Sequence, residues 1–258
     1  MTTATEQLKH LLDFAVDIAR EAGKITWRHY QGSFLAERKA DSSFVTIADR
    51  EAEAYLRTRI AEAFPNDAIL GEEEGEQSGS SNRRWIVDPI DGTYSFVHGV
   101  PLYGVLIGLE LDDEPVLGVA NLPALGELIY AARGLGCLWN GEVARVSAIS
   151  ELDQALLLST DFGVCEQHGF GPVVDSLQRQ VQARRTWGDA YGHVLVATGR
   201  ADIMLDPIMN LWDCAALLPI LEEAGGTFTD WNGRRTIHGG NAISTNGLLF
   251  DRVMEVVK

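Results

Sequence analysis

The sequence predicts a mixed α/β (α+β) fold of stacked helices and sheets, and three observations lead there. Long segments carry apolar residues at helical spacing, shorter apolar runs are separated by turn residues, and in the C-terminal half the two patterns alternate. The 258 residues suffice for one large core, and neither an internal repeat nor a linker divides them. We therefore expect a single unit over 1–258, with an N-terminal α+β part over about 1–150 and a C-terminal α/β part over about 151–258.

Each element has its own signal. Residues 5–30 place Leu8, Leu11, Leu12, Ala15, Ile18, Ala19, Ala22 and Ile25 on one helical face, closed by Gly32. A second helix runs from about Thr46 to Phe64, where Pro65 stops it. "AIL" at 68–70 is a short strand leading into "GEEEGEQSGSSN", an acidic and then Ser/Gly-rich stretch expected to be a mobile surface loop. In "WIVDPIDGT", residues 85–93, an apolar run breaks into two carboxylates, Asp88 and Asp91, with Pro89 setting a turn and a helix beginning at Thr93. "YGVLIGLELDDEPVLGVANLP" is a β-hairpin around "DDEP", and "GELIYAARGLGCLWNGE" repeats the pattern with turns at 133–136 and 140–141. Strands near 155–159 and 183–186 then alternate with helices near 172–182 and from Asp189. "ADIML" is a strand, and "LWDCAALLPILEEAGG" a helix capped by Gly225 and Gly226.

Composition narrows the function classes. Hydrophobic content of 46% with 22% charged residues is that of a globular protein, and a net charge of −16 supplies no basic footprint for nucleic acid or an anionic membrane. Such a balance suits a protein that holds cations. Cys137, Cys165 and Cys214 form no CxxC pair and read as reduced thiols. The first twenty residues carry charges throughout, unlike a signal peptide or a membrane span. The expectation is a soluble, cytoplasmic protein.

Acidic residues cluster where apolar elements end: Asp49, Glu72 and Glu73, Asp88 and Asp91, and Asp213. Mg²⁺ takes oxygen ligands from one or two carboxylates per ion, with water and phosphate oxygens completing the shell. Two such ions clamp both oxygens of a phosphoryl transfer. Gly92 permits close approach of backbone to a phosphate. The plain alternative for each acid is a helix cap or a solvated charge. Solvation is the better reading for Glu73, Glu74 and Glu76; Asp49 fits a first-turn acid equally well; a cap remains open for Asp213.

"GEE", "WIVDPIDGT" and "WDCAALLPILEEAGG", in this order, resemble the inositol monophosphatase superfamily of Mg²⁺-dependent, lithium-sensitive phosphatases. The likeness runs from the first helix to the last. It implies an αβαβα layered sandwich, a homodimer, two or three Mg²⁺ ions per site and a small phosphate ester as substrate. It places metal ligands at Glu72, Asp88, the Ile90 carbonyl, Asp91 and Asp213, and a water-activating pair at Thr93 and Asp49, with Glu72 helping. Asp91 and the Gly92 and Thr93 amides would face the phosphate. Ser95 stands where many relatives have Asn, for which we expect local repacking without loss of catalysis.

"GDAYG", "ADIMLDP" and "HGG…TNGLL" look closest to the histidinol-phosphatase branch, which serves histidine biosynthesis. Histidinol phosphate carries an ammonium and an imidazole, so its site wants added carboxylates. Asp189 and Asp206 are the candidates, with Asn210 a further contact. The alternatives are an N-cap for Asp189 and a turn-forming acid for Asp206. His168, His193 and His238 could be general acids, but lone histidines read better as surface or packing residues. Rival functions are an inositol-1-monophosphatase, a broad-specificity sugar or nucleotide phosphatase, or a non-catalytic metal-binding relative.

Overall fold

The computed structural model describes residues 3–32, 36–38 and 44–257. Helix α1 (Ala4–His29) begins with a reciprocal cap: the Glu6 amide donates to the Thr3 hydroxyl, and the Thr3 amide to the Glu6 carboxylate. Its apolar stripe, Leu11 and Leu12 through Ile18 to Ala22, is buried. A ribbon of β1 (Glu37–Arg38) and β2 (Phe44–Val45) precedes α2 (Ile47–Ala63), which Thr46 caps.

Eight strands then form one sheet. They are β3 (Ala68–Gly71), β4 (Gly75–Gln77), β5 (Arg83–Asp91) and, after the short helix α3 (Thr93–Val97), β6 (Gly104–Leu111), β7 (Glu114–Leu122), β8 (Glu127–Ala132), β9 (Gly136–Trp139) and β10 (Glu142–Val143). The spatial order is β10-β9-β8-β7-β6-β5-β3-β4, antiparallel except for the parallel β3–β5 pair. Side chains alternate across it as strand geometry requires. Trp85 and Val87 pack with α1 and α2, whereas Ile86 faces the other way.

The second half supplies β11 (Leu156–Ser159), α4 (Phe162–Gln167), α5 (Gly171–Gln180), β12 (Ala183–Arg185), α6 (Asp189–Ala197), β13 (Ile203–Asp206), α7 (Leu211–Glu223), β14 (Thr227–Thr229), β15 (Ala242–Thr245) and α8 (Phe250–Val257). Their sheet runs β12-β11-β13-β15-β14, parallel over its first three strands. Helices α6 and α7 fill the space between the sheets, where Val194, Leu217, Met204 and Phe228 share one cluster with Ile86 and Leu106. Helices α4, α5 and α8 cover the outer face through Val174, Leu177 and Val253. The layers are therefore α/β/α/β/α, as the resemblance implied.

Glycine sets how closely α7 approaches the first sheet. A Cβ at Gly118 would lie 1.9 Å from the Ala216 carbonyl oxygen, and one at Gly108 would lie 2.7 Å from Ala215. The helix thus rests on backbone, with no side chain between. All three cysteines are buried and free, and burial pushes the Cys137 thiol up to about 12. Among the described residues, no helix is long and apolar enough to cross a membrane.

The expectation for the acidic stretch fails. "GEEEGEQ" is not a mobile loop but a hairpin, with Leu70 opposite Glu76 and Gly71 opposite Gly75. Its tether is Glu53, buried on α2, whose carboxylate accepts the amides of Glu73 (2.8 Å) and Glu74 (3.0 Å). Arg57 bonds both Glu53 and the Gly75 carbonyl. These anchors come from about twenty residues upstream, beyond the reach of local pattern.

Candidate active site

Two carboxylates three residues apart would point to opposite faces of a regular strand. Strand β5 avoids this with an irregularity instead of the turn expected at Pro89. Asp88 pairs with Leu106 and Asp91 with Gly104, so three steps on one strand oppose two on the next. Pro89 has no amide to lose from the ladder there. The Asp88 carboxylate accepts the Ile90 amide (3.0 Å), and Asp91 accepts the Ala190 amide at the start of α6 (2.7 Å). At Gly92 the backbone turns left-handed (φ 78°), and a Cβ would crowd the Leu102 carbonyl at 2.8 Å. Helix α3 starts at Thr93, as expected.

Asp213 joins them from the first turn of α7. Each of Asp88, Asp91 and Asp213 brings a carboxylate oxygen within 4.8 Å of the other two. Burial, then Glu72 and Asp91, push the Asp88 carboxyl well up. Burial, then Asp189 and Asp213, do the same to Asp91. Asp213 rises to about 7, chiefly from burial, although its carboxylate also accepts the Asn210 amide at 2.6 Å. It is therefore both a cap and a cluster member. Asp49 is raised to about 6 by burial. Its Oδ2 accepts the Thr46 amide and hydroxyl, while its Oδ1 is buried with no hydrogen-bond partner among the described residues. Thr93 donates its hydroxyl to the Ile90 carbonyl (2.9 Å) and makes no hydrogen bond to Asp49.

Asp88, Asp91, Asp213 and Thr93 line a cavity of about 210 Å³ together with Glu72, Gly92, Asn210 and Trp212. None of its described lining residues is basic. A buried cluster of mutually repelling oxygens without a side-chain counter-charge fits hard divalent cations, which relieve the desolvation and the repulsion together.

A second cavity, about 190 Å³, shares Asp91, Asp189 and Asp213 with the first and adds Thr160, Asp161, Asp206, Pro207, Ile208 and Met209. Asp189 is not a cap. Gly188 holds that position, and the Asp189 amide donates to Thr160 Oγ1 (2.8 Å). Its own backbone is left-handed (φ 53°), a strained region for a non-glycine residue that Asp tolerates better than most. Burial, and then Asp206, raise its carboxyl to about 7. Asp206 ends β13 almost fully buried, so it is not a solvated turn acid.

Comparison with known proteins agrees with this geometry. A profile of the inositol monophosphatase family matches residues 7–257. The chain belongs to the inositol monophosphatase family. Within it, a histidinol-phosphatase of Chlorobaculum parvum is 46% identical, covering 90% of each chain. One of Mycobacterium tuberculosis is 40% identical over 94% of this chain and 96% of that protein. Among solved structures, an inositol monophosphatase of Thermotoga maritima superposes with a TM-score of 0.87 at 33% identity, covering 96% of each chain. An extragenic suppressor protein of Bartonella henselae gives 0.90 at 30% identity, covering 96% of this chain and 98% of that one. As a family member, the protein is a metal-dependent phosphomonoesterase.

Sequence reasoning missed Glu53 outright and weighed His193 only as a general acid or a packing residue, without its partner. Glu53 buttresses the turn that carries Glu72, and its only sequence signal is its place one helical turn after Asp49. His193 lies in the core, bonded to Asp206, whereas His168 and His238 are exposed. Its signal was the same kind of spacing, four residues after Asp189 on α6.

Proposed function

We propose that this protein is a Mg²⁺-dependent histidinol-phosphatase, hydrolysing L-histidinol phosphate to L-histidinol and phosphate. The observation that carries the reading is the facing pair Asp189 and Asp206 in the second cavity. A buried carboxylate whose proton affinity is raised by burial and by a second carboxylate lining the same cavity wants a positive ligand, and the amino alcohol supplies an ammonium. Inositol offers only neutral hydroxyls and leaves that repulsion in place. The names of the relatives from Chlorobaculum parvum and Mycobacterium tuberculosis support the same choice.

In this reading Glu72, Asp88, Asp91, Asp213 and the Ile90 carbonyl hold two or three ions. When bound, the ions supply Lewis acidity and an acidified water. Asp49 Oδ1 accepts the proton of the attacking water by way of Thr93. For that the Thr93 hydroxyl must turn from the Ile90 carbonyl toward Asp49, a rotation that also frees the carbonyl as a ligand. The Gly92 and Thr93 amides face the phosphate, and no covalent enzyme intermediate forms. Asp189 and Asp206 hold the ammonium of the alcohol portion, with Asn210 at the rim.

A substrate panel tests the assignment: histidinol phosphate, inositol 1-phosphate, a nucleoside monophosphate and fructose 1,6-bisphosphate, each with Mg²⁺. Histidinol phosphate should give the highest kcat/KM. A higher value for inositol 1-phosphate would transfer the assignment to an inositol-1-monophosphatase.

A further inference from the structure

We infer that His193 is a positioning residue for specificity: it holds the Asp206 carboxylate toward Asp189 so that the pair stays ready for a cationic alcohol portion. The inference rests on the histidinol phosphate reading above. His193 is fully buried between α6 and the second sheet, and both ring nitrogens are engaged. Nε2 is 3.1 Å from Asp206 Oδ2, and Nδ1 is 2.7 Å from Ser244 Oγ on β15. A carboxylate only accepts, so Nε2 carries the hydrogen toward Asp206, while the Ser244 hydroxyl engages Nδ1 from behind. The strand end is fixed as well, because Trp231 Nε1 donates to the Asp206 carbonyl (2.9 Å).

Left to itself, a buried carboxylate facing another one relieves the repulsion by rotating away or by taking up a proton. A donor fixed behind Asp206 opposes both escapes. It bonds one oxygen, favours the charged form and leaves the other oxygen for the ligand. The spacing helps further. Asp189 and His193 lie four residues apart on α6, so one helix face carries one carboxylate and the tether of the other.

The test compares His193→Leu, His193→Gln and Ser244→Ala with wild type on histidinol phosphate and on p-nitrophenyl phosphate, an ester whose aryl portion carries no positive charge. Gln keeps an amide donor where Nε2 lies; Leu keeps apolar bulk alone. His193→Leu should lower kcat/KM for histidinol phosphate relative to p-nitrophenyl phosphate by about ten-fold or more, the size of one hydrogen bond to a charged group, mainly through KM. His193→Gln should recover most of that ratio, and Ser244→Ala should lose a few-fold. A merely structural histidine would instead lower both substrates alike and show no rescue by Gln. An unchanged substrate ratio in the two His193 variants overturns the inference. If His193→Leu fails to fold, an unchanged ratio in Ser244→Ala overturns it too. Wild-type enzyme that prefers inositol 1-phosphate removes the histidinol phosphate reading and this inference together. A wild-type preference for histidinol phosphate with unchanged ratios in the variants removes this inference alone.

Discussion

Replacing Asp189 with Asn separates the role of this carboxylate in recognition from any role in holding the fold. The two side chains have nearly the same shape, and Asn tolerates the left-handed backbone at this position as well as Asp does. No helix cap is lost, since Gly188 occupies that position. What disappears is one of two facing charges. A charge-assisted contact to the substrate's ammonium is worth about 1.5–3 kcal/mol. At 1.4 kcal/mol per decade, kcat/KM for histidinol phosphate should fall roughly 10- to 150-fold. Hydrolysis of p-nitrophenyl phosphate, which brings no ammonium, should fall far less. Stability should move the other way. Asp189 is raised to about 7 by burial and by Asp206, so its ionisation opposes folding at neutral pH. The Asn variant should therefore melt at the same temperature as wild type or higher at pH 8 in chelator. A capping role would instead cost about 1 kcal/mol. Steady-state kinetics on the two esters and a thermal melt decide the matter. Equal losses on both substrates, or a lower Tm, would refute the argument.

Other expectations follow from the carboxylate cluster. Chelation should abolish phosphate release and Mg²⁺ restore it, with Li⁺ inhibiting; full turnover in excess chelator would contradict metal dependence. Asp213→Asn should lower kcat more than about tenfold, the scale of one lost electrostatic stabiliser, and near-normal turnover at low Mg²⁺ would leave the residue a cap alone. Asp49, Asp189 and Asp213 all have folded-state carboxyls raised above their unfolded value, to between about 6 and 7. Their favourable contribution is complete below the unfolded value, near 4, and is lost as pH rises through the raised ones. The chelated protein should therefore lose Tm from about pH 4 to pH 8 on this account, and Mg²⁺ should flatten the slope; calorimetry across that range, with and without the ion, checks the sign. Glu53→Ala strips Arg57 of a buried partner, which costs about 3–5 kcal/mol, and should raise the Mg²⁺ concentration needed for half-maximal activity. An unchanged Mg²⁺ requirement in folded protein would show that the Glu72 turn stands without it.

Elements with long apolar periodicity were legible in the sequence: α1, α2, α7 and the β6–β7 hairpin lie within a few residues of their expected bounds. The short pieces were not. Helix α4 spans six residues, and β14 three, too few for a period to show. At the site, "WIVDPIDGT" announced two converging carboxylates, but the ladder irregularity that makes them converge depends on pairing with β6. The hairpin at "GEEEGEQ" was hidden because its composition is that of a loop, and its anchor lies on another element. Lone residues fared worst. A single histidine in an apolar stretch carries no sign of whether it meets a carboxylate, and the partners of His193 come from two strands further along the chain.

The two cavities share one wall and differ in the other. The first is built on the end of β5 and on α7, with α7 seated on the backbone of Gly108 and Gly118. The second shares Asp91, Asp189 and Asp213 with it and adds the end of β13, the loop that follows β13 and the loop before α4. A substitution in the added lining can therefore reshape the second cavity without touching Glu72 or Asp88, which line the first alone. For an engineer, the same division marks residues 206 and 208 as the places to diversify, and α7 as the part to leave untouched.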